Sequence, residues 1–185
     1  MSFALFNRRG GLIGQSLEGV DRKLLMKAVR AGLLNEDGRA RGSIGSVYEN
    51  LTYDEIKPLL PAIHKAIIEP APSGIMFADG IRMSGLELLT KYQINEGIEL
   101  LVDYSRNQKK HASEKRILKV MEMLKAYEAH GKRVIPQLEA VANYFENEEK
   151  DFPHHLSLRK AEFVRETIAS IEVSIDEPKL IYLNR

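Results

Sequence analysis

The chain has 185 residues, with 27 Lys+Arg against 26 Asp+Glu, a formal net charge of +1 at pH 7. Hydrophobic residues make up 44% and charged residues 29%, a balance that excludes the low-hydrophobicity, high-charge class of disordered chains and fits one folded domain. The absence of cysteine excludes disulfides, thiolate nucleophiles and Cys-based metal centres, and the near-zero net charge argues against a surface coated in basic groups for nucleic acid or an anionic membrane.

Residues 1–16 read as an N-terminal arm. Its short apolar start, Ser2 to Phe6, precedes Arg8-Arg9, the reverse of the charge order in a signal peptide. The helical pattern begins after the cap at Val20-Asp21, where Leu24, Leu25, Ala28, Val29 and Leu33 recur at three- and four-residue spacing until Asn35 and Gly38. Ser43 to Leu51 carries Ile44, Val47, Tyr48 and Leu51 on one helical face. Thr52-Tyr53-Asp54-Glu55 then has the form of a capping box, whose Thr and Glu each satisfy a backbone N–H that the first turn leaves unpaired. A helix from about Pro58 to Glu69 follows, its prolines tolerated in the first turn, where their missing N–H has no partner anyway.

Pro70, Pro72 and Gly74 mark a break before a helix from about Ala78 to Tyr92. Asn95 is positioned to cap the next, which carries Ile98, Leu101, Val102 and Tyr104, and Ser105 to Ala112 reads as a loop. Ser113 caps a helix with the stripe Ile117, Val120, Met121, Leu124 and Tyr127, expected to stop at Gly131. Helices over Val134 to about Glu149 and Ser157 to Ser174 complete the pattern. Residues 175–185 form a tail in which Leu180, Ile181, Tyr182 and Leu183 are expected to pack as an extended cap. No segment sustains period-two alternation, so the expected class is all-α, with almost no sheet.

Internal repetition organises residues 17–174. Arg41, Arg82 and Arg116 fall in register on the first helices of successive pairs, at intervals of 41 and 34 residues. Pro61-Ala62-Ile63, Glu96-Gly97-Ile98 and Pro136-Gln137-Leu138 fall in register on the second helices, at intervals of 35 and 40. These periods suit two-helix repeats, and a hairpin that cannot bury its apolar faces alone gains by stacking on its neighbours. The expectation is a right-handed α-α superhelix, or solenoid, of about three helical-hairpin repeats.

The stacked pairs resemble HEAT or armadillo repeats, and Gly131-x-x-x-x-Pro136-x-Leu138 resembles the HEAT signature that opens a second helix. The stretches Asn35 to Arg41, Tyr48 to Leu51, Ile56 to Ile63 and Glu69 to Arg82 are similar to the C-terminal helical-repeat region of large bacterial multidomain proteins whose biochemical role is not established. The resemblance implies a non-catalytic interaction or scaffold module that belongs to a larger protein, its partner a protein or the other domains of a parent chain. It brings no catalytic residues and no cofactor.

The residues themselves offer few chemical sites. His154-His155 with Asp151 lacks the His-x-x-x-His spacing that turns two imidazoles toward one metal. Gly14-Gln15-Ser16-Leu17-Glu18-Gly19 has one residue too many for a nucleophile elbow, and Gly10-Gly11-Leu12-Ile13-Gly14 lacks the Gly-Lys-Ser/Thr ending of a P-loop. No catalytic residue, metal or cofactor is therefore assigned.

Three readings remain to be weighed. Phe77, Asp79 and Arg82, near a helix start, could receive an anionic group of a partner or serve an enzyme's accessory pocket; the plainer role is cap, hydrophobic staple and ion pair. The ladder Arg41, Arg82 and Arg116 could bind acidic groups or tie one repeat to the next. Arg106, Lys109, Lys110, Lys115 and Lys119 form the one basic cluster, the alternative being a nucleic-acid-binding repeat protein. Solvated helix ends explain that cluster more simply, because no aromatics are interleaved with it.

Overall fold

A computed structural model describes residues 19–37, 41, 44–68, 75–107, 114–151 and 157–183, with side chains described at all of these but 46, 49, 75–79, 148–151 and 157. Among the described residues the protein is all-α. Seven α-helices of nine residues or more are present: α1 Arg22–Leu33, α2 Leu60–Ile68, α3 Ile75–Lys91, α4 Glu96–Arg106, α5 Glu114–Lys125, α6 Ile135–Asp151 and α7 Ser157–Val173. No strand is formed among these residues, only an isolated parallel bridge between Ile94 and Ile181. The chain divides after Leu89 into two compact units.

In the N-terminal unit, α1 starts where the Asp21 carboxylate accepts from the N–H groups of Lys23 and Leu24, at 2.9 and 3.2 Å. That satisfies two of the donors a helix start leaves open. Its Leu25, Ala28, Val29 and Leu33 are buried. The expected helix over Ser43 to Leu51 is instead a 3-10 helix, Gly45–Asn50, although Ile44, Val47, Tyr48 and Leu51 are buried as the apolar pattern requires. Three residues per turn still bring residues three and four apart near one face, so apolar spacing alone does not separate the two helix types.

The capping box forms as read: the Thr52 N–H and Oγ1 both reach Glu55 Oε2, at 2.9 and 3.1 Å, and one helical turn follows, Tyr53–Ile56. Lys57–Leu59 continue as 3-10 helix into α2, with Pro58 and Pro61 in first turns. α3 begins at Ile75, three residues before the expected start. At Gly85 a Cβ would lie 2.7 Å from Ile67 Cγ1, so the glycine leaves room for the Ile67 side chain between α2 and α3.

The C-terminal unit is built from α4 to α7, with α7 packed along α6 and α5 and α4 against α5 and α6. α4 runs to Arg106, past the expected loop start at Ser105. Ser105 is fully buried and its Oγ donates to the Leu101 carbonyl at 3.0 Å, which gives a polar side chain mid-helix an internal partner. Lys160 is also fully buried, with its ammonium over the Phe145 ring, 5.4 Å from the centroid, where the aromatic face attracts a cation. On the exposed side, Arg165 of α7 reaches Glu146, Glu139 and Asn143 of α6 at 2.7, 2.9 and 3.0 Å. Arg159 pairs with Glu114 of α5 at 3.0 Å.

Two turns in this unit share one device. α3 and α5 both end without glycine: Gln93 and Glu128 adopt φ of 53° and 51°, the left-handed conformation that usually falls to glycine at a helix end. The flanking sequences align over eight positions, Leu86-Glu-Leu-Leu-Thr-Lys-Tyr92-Gln93 against Met121-Glu-Met-Leu-Lys-Ala-Tyr127-Glu128, 35 residues apart, with Glu, Leu and Tyr identical at three of them and Leu facing Met at two.

Candidate functional site: the turn edge under the C-terminal tail

The helix expected to stop at Gly131 ends instead at Lys125, with the left-handed residue at Glu128, and Gly131 has a different task. A Cβ there would lie 2.9 Å from Ile171 Cδ1 and 3.1 Å from its Cγ2, so the glycine lets the Glu128–Val134 3-10 helix lie against α7. Tyr127, fully buried just before it, donates from its hydroxyl to the Ile94 carbonyl of the preceding turn at 3.0 Å. Burial pushes this phenol well above its ordinary pKa, so it stays a donor. Gln93 ties the same two turns together: its side-chain amide donates to the Thr90 carbonyl at 3.2 Å and the Ala126 carbonyl at 3.1 Å.

Asn95 does not act as the expected helix cap. Its side chain makes no capping bond and instead accepts from Arg133 Nη1 at 2.7 Å, while its carbonyl accepts from Arg133 Nη2 at 3.0 Å. The same guanidinium lies 3.3 Å from Glu99. The Asn95 N–H is a separate donor and turns to the tail.

The tail leaves α7 at Val173 and runs extended across both turns. Ser174 Oγ donates to Glu128 Oε2 at 2.6 Å, the Ala129 N–H donates to the Asp176 carbonyl at 3.0 Å, and His130 Nε2 donates to the Pro178 carbonyl at 2.8 Å. At the first turn the Ile181 N–H donates to the Gln93 carbonyl at 2.9 Å, and the Ile181 carbonyl accepts from the Asn95 N–H at 2.8 Å. The Leu183 N–H then donates to Glu96 Oε1 at 3.1 Å. Between Asp176 and Leu183 the tail is thus held by its peptide groups, as an added strand is held at a sheet edge. Pro178, Leu180, Ile181 and Leu183 are half-buried, and no residue of 174–183 is fully buried.

The residues singled out from sequence lie elsewhere. Arg41 is half-buried in the N-terminal unit, where its Nε donates to the Asn35 carbonyl. Arg82 is half-buried on α3, and Arg116 is exposed on α5 in the other unit, so two of the ladder's members share a unit and the third does not. The backbone at Phe77 and Asp79 lies inside α3, which moves Asp79 away from the expected cap position; their side chains lie outside the described residues. Of the basic cluster, Arg106 is exposed and 3.8 Å from Asp103, Lys115 and Lys119 are exposed on α5, and Lys109 and Lys110 lie outside the described residues. His154, His155, the glycine motif at 10–14 and, except for Gly19, the motif at 14–19 lie outside them too.

Among the described residues no group of three or more His, Asp or Glu side chains could hold a metal ion, and no helix is long and apolar enough to cross a membrane. Comparison with protein-family models, with curated proteins and with solved structures finds no match to the chain.

Proposed function

We propose that the protein is a non-catalytic helical-repeat interaction module of the HEAT or armadillo kind, whose turn edge docks an extended peptide. One observation carries this reading: the carbonyl of Gln93 and the N–H groups of Asn95 and Ala129 are engaged by an extended segment through its main chain. Recognition of this sort draws its affinity from peptide groups and its selectivity from the side chains that alternate toward the surface, here Ile181 and Leu183. The matched turns at Gln93 and Glu128 support the repeat assignment, because their 35-residue interval falls within the usual range for two-helix units. They also support a binding role, because a rigid left-handed turn presents the same peptide groups without rearrangement.

The test is a fluorescent peptide with the sequence of residues 174–183, titrated against the intact protein and against Ile181→Pro. Proline at 181 removes the N–H that pairs with Gln93, and so loosens the resident tail without touching a buried side chain. The variant is expected to bind the peptide at least tenfold more tightly than the intact protein. Equal, non-saturating signals from the two proteins would defeat the proposal.

A further inference from the structure

The edge is filled in one chain by that chain's own tail, and the way the tail is attached raises the question of which copy it serves. Three features bear on it. The tail is held by main-chain bonds with no fully buried side chain, and segments of this kind sit at the low end of local stability. Its hinge is short: the Ser174 hydroxyl is anchored on Glu128 and the Asp176 carbonyl on Ala129, leaving Ile175 as the one residue between. That hinge residue and Val173, the last residue of α7, are the two most exposed large hydrophobics among the described residues, at 88% and 78%. Both are β-branched, and both stand largely exposed among the described residues.

We propose that the partner for this edge is a second copy of the chain, and that two copies exchange tails reciprocally, each laying residues 176–183 across the turns of the other. The inference rests on the docking function proposed above and names its partner. In such an exchange Ser174 and Ile175 straighten, and the two hinges cross at a two-fold axis. The crossing sets Val173 and Ile175 of one copy against Val173 and Ile175 of the other, which removes from water the apolar pair that the single chain leaves exposed. Those four side chains alone are far smaller than a stable interface requires; the exchanged tails supply the remaining contact. Every bond the tail makes in its own chain is available unchanged in the other, so exchange costs no contact beyond the hinge, and concentration decides the outcome.

The chain contains no cysteine, which makes a selective trap possible. Ile94 and Ile181 are bridge partners, and paired backbones lie about 4.7–4.9 Å apart, within the span of a disulfide. Ile94 is fully buried, so a thiol there is reached only by a tail seated in the edge. A chain carrying Ile94→Cys is mixed with a mass-tagged chain carrying Ile181→Cys and oxidised, alongside a single chain carrying both changes. The proposal expects a covalent dimer of mixed tag in the mixture, and at least a threefold lower yield when Val173→Asp and Ile175→Asp are added to both chains.

If the double-cysteine chain closes on itself at every concentration while the mixture stays uncrosslinked, the tail serves its own chain, and the exchange is overturned although the docking edge stands. If neither preparation crosslinks while both keep their helical circular dichroism, the tail does not occupy the edge, and both proposals fall. Should the Ile94→Cys chains not fold, light scattering on a dilution series of the unaltered protein decides. Twice the chain mass, reduced to the single mass by Ile181→Pro, is the expected result; the single mass at every concentration overturns the exchange.

Discussion

In the N-terminal unit the contact that fixes α1 to the capping box is a bidentate ion pair, whereas the buried ties between the turns of the C-terminal unit run through peptide groups and neutral side chains, with Arg133 on Asn95 and Glu99 as the charged contact on the exposed side. Arg22 places its Nε and Nη2 on the two oxygens of Glu55, at 2.7 and 2.5 Å, while Glu55 also closes the box with Thr52. A bidentate guanidinium and two further donors on one carboxylate stabilise its ionised form, and they hold Glu55 down to about 2. The C-terminal counterpart is Tyr127 on the Ile94 carbonyl and Gln93 on the Thr90 and Ala126 carbonyls, none of which changes charge near neutral pH. A charged clasp answers to acid, and a neutral one answers to shape and to hydrogen-bond count.

The largest effect should come from shape in the second unit. Gly131→Ala drives a methyl into Ile171, a side chain only 1% exposed, and is expected to cost about 2–3 kcal/mol in urea unfolding, near the upper end for an overfilled site. Next comes Tyr127→Phe, which leaves the buried Ile94 carbonyl without its hydroxyl partner; about 1–2 kcal/mol is expected from the same measurement. A smaller difference should separate the two left-handed turns. Gln93→Ala removes two bonds to carbonyls, Glu128→Ala one bond from Ser174, so the first should be the more destabilising by about 1 kcal/mol. Equal losses would show that the turns are not used differently.

The last prediction concerns acid. Because the Glu55 pKa is depressed in the folded state, its contribution is fully present above the ordinary glutamate value, about 4.3, and is lost as the pH falls from there toward 2. Glu55→Gln should flatten the decline of stability across that window, as read from melting temperatures at successive pH values. An unchanged slope would remove the charged clasp from the account.

The helices and the capping box were legible in the sequence because each rests on short-range rules: apolar residues three and four apart, and a Thr and a Glu three apart. The turns were not. A helix stop is read from glycine, and Gly131 drew the expected stop to a residue whose smallness serves Ile171, while Gln93 and Glu128 adopt positive φ with no residue-type signal. A signal did exist in the repeat of Leu86 to Gln93 at Met121 to Glu128, but alignment on arginine and proline positions passes over it. The tail's docking left still less trace, since bonds made by peptide groups are written in no side chain. Leu180, Ile181 and Leu183 marked the tail as something to be packed, without saying against what.

The central claim is that the Asn95 and Ala129 N–H groups form a site for an extended chain, and amide hydrogen exchange reads both groups directly. In the unaltered protein both should be protected, in Ile181→Pro the Asn95 amide should exchange at least tenfold faster, and adding the 174–183 peptide in excess should restore its protection. An Asn95 amide equally protected in both proteins, or one that the peptide leaves unprotected, would contradict the account.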